Sequence, residues 1–127
     1  MNKEQYLKND EVQANEEVSI AAKETTVSAS VSYKVGLVGY ATSSRIDAPD
    51  GILRVVAKNT GSNTLVVRVI RGTGVAIVKE WSVAPGKTIT TGDFSLPPDY
   101  YSLRLARERD SYPTSGTGTI TSVQYYG

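Results

Sequence analysis

Residues 52–74, ILRVVAKNTGSNTLVVRVIRGTG, decide how this chain is read. Two runs rich in β-branched residues flank Asn59-Thr60-Gly61-Ser62, and asparagine and glycine tolerate the positive φ angles of a tight connection. The pattern predicts two strands joined as a hairpin. Alternation sorts their faces. Leu53, Val55 and Ala57 should face the core together with Leu65, Val67 and Val69, while Arg54, Lys58 and Arg68 point outward. Val56, Val66 and Ile70 then share the arginine-bearing face. Apolar residues on both faces imply that something covers the outer one.

The same period of two runs through the rest of the chain from Thr25. In TTVSASVSYKV, residues 25–35, Val27, Ala29, Val31, Tyr33 and Val35 alternate with small polar residues. A short apolar piece ends at Tyr40, and ATSSRIDAPDG reads as a loop. VAIVKEWSV is a strand closed by the Ala84-Pro85-Gly86 turn, and KTITTGDF follows. Pro97 and Pro98 cannot donate to a ladder and force a break. YYSLRLARE places Tyr101, Leu103 and Leu105 on one face and Arg104 on the other. The polar stretch from Arg107 to Gly118 reads as a loop before a last strand, TITSVQYY. Strand-length runs every 8 to 12 residues predict an all-β chain, a single antiparallel β-sandwich or jelly roll of seven to eight strands.

With 127 residues the chain has the length of one domain, and it contains neither cysteine nor histidine. That removes disulfides, thiolate metal sites and the commonest general base. Ser43 and Ser44 have no histidine to activate them, which excludes a serine-histidine triad. Asp47, Asp50, Glu80, Asp93 and Asp99 are the pool for a carboxylate pair, but no motif presents them, and the reading is of a non-enzyme. RGTGVAIV and TSGTGTI lack the Lys-Ser/Thr ending of a phosphate loop and open no helix, so they read as turns or bulges. Asp47 and Asp50 in DAPDG offer two oxygens to calcium without the dense acids of a dedicated loop, and a turn is the simpler reading. No metal or other cofactor is expected. Trp81, Tyr100, Tyr101, Tyr112, Tyr125 and Tyr126 are the candidates for a sugar-stacking platform, against the plainer reading in which Trp81 and one tyrosine of each pair fill the core. Arg104, Arg107 and Arg109 sit beside Glu108 and Asp110 in a chain of net charge +1, which argues against nucleic acid.

The first 24 residues, MNKEQYLKNDEVQANEEVSIAAKE, differ from all of this. They carry three lysines against six acids, a net −3, whereas residues 25–127 carry a net +4. The domain reading is therefore an arm over 1–24 and a sandwich over 25–127. Leu7, Ala14, Val18 and Ala21 lie at helical spacing with Asn9 or Asp10 as a cap, while Val18, Ile20 and Ala22 alternate as in an extended strand. Either form needs a surface, since an isolated helix of ~12 to 15 residues is marginal in water. The charge asymmetry points to docking on a body, its own or a neighbour's; a solvated tail is the plainer alternative. No run approaches the length of apolar residues that crosses a membrane, and the arm lacks the layout of a signal peptide.

An arm ahead of a cysteine-free sandwich, with KNTGSNTLVVRVIRG, then WSVAPGKTITTGDF, then GTGTITSVQYY, resembles the jelly-roll subunits of endospore appendages. The resemblance covers residues 50–127. It implies a structural subunit that lies on a spore or other extracellular surface and joins its neighbours through an N-terminal connector. Those connectors usually carry cysteines and this arm has none, so the resemblance implies either noncovalent linkage in this chain or another branch of surface fibre. Open sheet edges and an extended arm make β-augmentation of a neighbour the expected mode. The partner is then the chain itself, with Leu7, Val12, Val18 and Ile20 of the arm meeting Val56, Val66, Arg68 and Ile70 of the body. Two alternatives stay open: a carbohydrate-binding module with a polysaccharide partner, and a phage virion or tail component.

Overall fold

The computed structural model describes residues 23–35, 39–73 and 76–126, and every regular element within them is a β-strand. In chain order these are β1 (Lys23–Tyr33), β2 (Tyr40–Thr42), β3 (Ile46–Ala48), β4 (Ile52–Asn59), β5 (Leu65–Arg71), β6 (Ala76–Val83), β7 (Thr88–Thr90), β8 (Phe94–Ser95), β9 (Asp99–Arg107) and β10 (Gly116–Tyr126). The first sheet runs β2-β9-β5-β6, with β3 also on β9; the second runs β1-β10-β4-β7, with β8 also on β4. All pairings are antiparallel. Because β2 and β3 share one partner, and β7 and β8 share another, the layers hold eight strand positions. The pairs nest: β1 with β10, β2/β3 with β9, β4 with β7/β8, and β5 with β6 at the centre. This is one long antiparallel ribbon rolled on itself, a jelly roll. The expected all-β sandwich is observed.

The hairpin expected across Asn59–Ser62 is not. β4 and β5 lie in different sheets and face each other across the core instead of exchanging ladder bonds. Their dry faces are the expected ones, since Leu53, Val55 and Ala57 oppose Leu65, Val67 and Val69 in the core with Tyr33, Tyr101, Leu103, Leu105 and Ile120. Alternation reports which face is dry; a hairpin and a crossover between sheets both satisfy it. The local hairpin is β5–β6, which turns through Gly72 at φ +69°.

A buried asparagine makes the crossover. Asn59 Nδ2 donates to the carbonyls of Asn63 (2.7 Å) and Val83 (2.8 Å), and its Oδ1 accepts from Gly61 N–H and from Thr114 Oγ1, both at 2.9 Å. Both donors of the amide are filled, and its oxygen accepts from Gly61 N–H and shares the Thr114 hydroxyl proton with Asn63 O, 2.8 Å from the same Oγ1. The backbone of Asn59 meanwhile accepts from Gly86 N–H and donates to Lys87 O, and Thr60 N–H donates to Ser115 O. Three loops at one end of the sandwich are thus tied to a single residue. Gly61 fits because a Cβ there would stand 2.3 Å from Thr114 Oγ1.

Two further stretches differ from their sequence reading. Ile46–Ala48, expected in a loop because of its polar neighbours, is a strand whose Ile46 and Ala48 are buried. GTG at 116–118, expected to be a turn or bulge, lies inside β10. Its glycines face the core, where a Cβ would meet Leu65 Cδ2 at 2.6 Å or Leu103 Cδ2 at 2.7 Å. Glycine there makes room for opposing leucines. Lys23 and Glu24, the last residues of the acidic stretch, already lie in β1. Leu7, Val12, Val18 and Ile20, and the helical cap at Asn9 or Asp10, lie outside the described residues.

Replacing Asn59 by alanine removes all four side-chain bonds and leaves buried groups unpaired, each costing about 1–3 kcal/mol. Urea unfolding of Asn59→Ala is expected to show a loss of about 3 kcal/mol or more. A loss comparable to that of an exposed Thr60→Ala control would contradict the role of this residue as the crossover anchor.

Candidate functional site

The two outer faces of the sandwich are chemically different. On the first sheet, Val66 and Ile70 alternate with Arg68 on β5, and Ser102 and Ala106 alternate with Arg104 on the neighbouring β9. Val66 and Ile70 are only 5% and 2% exposed although they belong to the outer row. Arg68 is held toward β6 by Glu80, Nε to Oε1 2.8 Å. Arg104 is held toward β2, its Nε donating to Thr42 Oγ1 at 2.9 Å and its guanidinium lying 4.2 Å from the Tyr40 ring centroid. The arginines of this face are thus tied sideways to the flanking strands, and Val66 and Ile70 between them are buried within the single copy.

On the second sheet the outer rows are hydroxyls. Ser28 meets Thr121 at 2.8 Å and Ser30 meets Thr119 at 3.0 Å, across β1 and β10. Beside them runs a groove of about 410 Å³ lined by Ser30, Ser32, Val56, Lys58, Thr117 and Thr119 among others. Val56 stands in it 44% exposed. The alternation pattern puts Val56 with Val66 and Ile70 on one face; because β4 and β5 belong to different sheets, Val56 is on the opposite side of the molecule from them. Arg68 lies with Val66 and Ile70.

The start of β1 is fixed by a charged cluster. Arg54, on the outer face of β4, donates Nη1 to Glu24 Oε1 (3.1 Å), Nη2 to Glu24 Oε2 (3.0 Å) and Nη2 to Tyr125 Oη (3.1 Å), and its Nε pairs with Asp93. The Tyr125 hydroxyl in turn donates to the second oxygen of Asp93. One bidentate arginine thereby links the edge strand β1 to β4, to β10 and to the loop after β7. Glu24, then Asp93 and Tyr125, hold the Arg54 guanidinium protonated beyond its ordinary range. Arg54, then Tyr125, hold the Asp93 carboxyl below its ordinary 3.8. Asp93, then burial, raises the Tyr125 hydroxyl above its ordinary 10.0. The cluster sits where residues 1–22 join the body. Sequence reasoning misses it because its four members are spread over 102 residues; only the isolated outward Arg54 signals it.

The remaining candidates are dispersed. Glu80, Asp93 and Asp99 each pair with a different arginine: Arg68, Arg54 and Arg71. Asp47 is on β3 and Asp50 in the turn before Gly51. Among the described residues no group of three or more acidic side chains converges as a metal site would require. The six aromatics do not share a platform. Tyr101 is buried with its hydroxyl bonded to Pro97 O, and Trp81 packs edge-on to Phe94 at 5.8 Å on the flank of the core. Tyr125 belongs to the arginine cluster, and Tyr100, Tyr112 and Tyr126 are exposed at separate places. Among the described residues no helix is long and apolar enough to cross a membrane.

No family model and no curated protein matches this sequence. Solved structures do. A structure described as that of Bacillus endospore appendages, a family of disulfide-linked pili, is 11% identical, covers 90% of this chain and 97% of its own, and superposes with a TM-score of 0.51. The crystal structure of PirA is 14% identical over 87% of this chain and 97% of its own, with a TM-score of 0.44. A carbohydrate-binding module, CBM36 in complex with calcium and xylotriose, is 12% identical over 79% of this chain and 99% of its own, with a TM-score of 0.48. At these identities the likeness is one of fold, and the resemblance to the spore-appendage subunits is met at that level.

The Arg54 cluster and the Arg71–Asp99 pair also give stability a pH dependence. Asp93 and Asp99, both held below 3.8, contribute stability that is complete above that value and is lost as pH falls through their lowered pKa values. Tyr125, raised above 10.0, contributes stability that is complete below 10.0 and is lost as pH rises through its higher value. Thermal midpoints followed by circular dichroism are expected to be level between about pH 5 and 9 and to fall on both sides. Arg54→Gln should be less stable at neutral pH yet lose less on acidification, because Asp93 then titrates nearer its ordinary value. An unchanged acid limb in Arg54→Gln would contradict the assignment.

Proposed function

We propose that this chain is a non-enzymatic structural subunit that assembles on a surface by laying residues 1–22 of one copy along the second sheet of the next. The observation that carries the reading is the open groove at Val56, whose lining runs from β4 across β10 to β1, the edge strand of that sheet among the described residues. An edge strand exposes unpaired N–H and C=O groups, and an extended segment completes it by β-augmentation. Reach is sufficient. Twenty-two extended residues span about 75 Å, about twice the ~36 Å of the longest strands. Charge favours it as well, since residues 1–22 carry a net −3 and Lys58 lines the groove.

A head-to-tail contact of this kind is heterologous, so it propagates into a fibre unless the geometry closes a ring. The pilus subunit that shares this fold supports a fibre on an outer surface. With no cysteine, the contact is held by main-chain bonds and by burial of residues such as Val12, Val18 and Ile20.

Sedimentation velocity and negative-stain microscopy of the full chain are expected to show polymers, and a chain lacking residues 2–22 should be a folded monomer. Polymers of equal length without those residues would refute the proposal. A finer expectation concerns the groove. Val56→Glu places a like charge opposite the acidic arm and should raise the concentration needed for assembly at least ~10-fold while leaving the thermal midpoint unchanged. Assembly indifferent to this substitution would put the contact elsewhere.

A further inference from the structure

A second concavity, of about 310 Å³, lies on the outer face of the first sheet. It is formed by Thr42 of β2, Ser43 and Arg45 of the following segment, Ile70 of β5, and Ser102 and Arg104 of β9. Neither arginine has a carboxylate partner among the described residues, unlike Arg54, Arg68 and Arg71. Both instead lie over tyrosine rings: Arg104 is 4.2 Å from the Tyr40 ring centroid and Arg45 is 5.9 Å from that of Tyr100. A guanidinium held over a ring face by cation–π attraction keeps its edge N–H donors available, which suits bidentate recognition of a carboxylate. Arg104 spends one donor, Nε, on Thr42 Oγ1.

A second observation points to a ligand. Ser102 is 3% exposed, lines this pocket, and its hydroxyl has no partner among the described residues. Buried hydroxyls without partners are unusual, because desolvation is then uncompensated. Ser43, by contrast, is fully employed: its Oγ donates to Ser44 O at 2.8 Å and accepts from Leu103 N–H at 2.9 Å. The pocket thus offers two guanidinium edges and one hydroxyl without a partner among the described residues. Its volume is at the low end of the ~300–1,000 Å³ usual for small-ligand sites, the size of a single sugar ring with its substituents.

We propose that this pocket binds a uronic acid residue of an acidic polysaccharide, with Arg45 and Arg104 on the carboxylate and Ser102 Oγ on a ring hydroxyl. The inference is independent of assembly through residues 1–22, since the pocket and the Val56 groove are on opposite faces. A non-assembling chain would still bind.

The test is fluorescence anisotropy of labelled tetragalacturonate titrated with the full chain. Binding is expected, with no binding of labelled neutral xylotetraose. Arg45→Gln/Arg104→Gln should weaken it at least ~10-fold, whereas Lys87→Gln/Arg109→Gln, which removes the same charge elsewhere, should not. Ser102→Ala should weaken it by a smaller factor. Arg45→Gln alone, at an exposed position, serves as the test if circular dichroism shows the double variant to be misfolded. Absence of binding, equal binding of the neutral oligomer, or equal weakening by the two charge pairs would overturn the proposal. Displacement of the sugar by a peptide of residues 1–22 at equal concentration would also overturn it, by assigning the pocket to the arm.

Discussion

Asn59 is the point on which the architecture turns. Both donors and the oxygen of its amide are bonded within the protein, and these bonds hold the chain as it leaves the second sheet and enters the first. A buried polar network in which every member is satisfied specifies one geometry, because any shift leaves a desolvated group unpaired. Once that crossover is set, β4 and β5 face each other, β5 and β6 form the hairpin at the centre of the ribbon, and the outer pairs wrap around it. The core then follows from alternation, with Leu53, Val55, Leu103, Leu105 and Ile120 meeting between the layers.

Much of this is legible in the residues, and the failures are physical rather than random. Period-two patterning identifies the strands and their dry faces, and Pro97-Pro98 marks the break before β9. What alternation lacks is partner identity. Asn59-Thr60-Gly61-Ser62 has the composition of a hairpin turn, yet the buried Thr114, 55 residues away, uses that same loop as a crossover. Gly116 and Gly118 mislead for a related reason: in isolation glycine signals a turn, and only the leucines of the opposite sheet show that it is a vacated side-chain position. The Arg54 cluster is invisible in the sequence because it joins residues 24, 54, 93 and 125, which no spacing rule connects.

The mistaken hairpin has a consequence for function. It puts Val56, Val66 and Ile70 on one surface and asks a single partner to cover them. With the strands in separate sheets, Val66 and Ile70 are sheltered beside pinned arginines, while Val56 stands open among hydroxyls on the interior strand β4. The molecule therefore has two distinct outer faces. One is open, hydroxyl-rich and adjacent to the acidic segment's point of entry. The other is basic and carries Arg45 and Arg104, two arginines that lie over tyrosine rings, line a pocket and have no carboxylate partner among the described residues. The Arg54 cluster bears on the first of these, since it fixes Glu24 at the start of β1.

Whether those residues find their surface on another copy is open to direct observation. An equimolar mixture of nitrogen-15 and unlabelled chain can be assembled, chemically cross-linked and digested, and the isotopic parentage of each link read by mass spectrometry. Links between residues 1–22 and the β1, β4 and β10 surface are expected to include peptide pairs of mixed parentage. If every such link joins two peptides of the same isotope, the segment folds back on its own sandwich, and assembly by arm exchange between copies is contradicted.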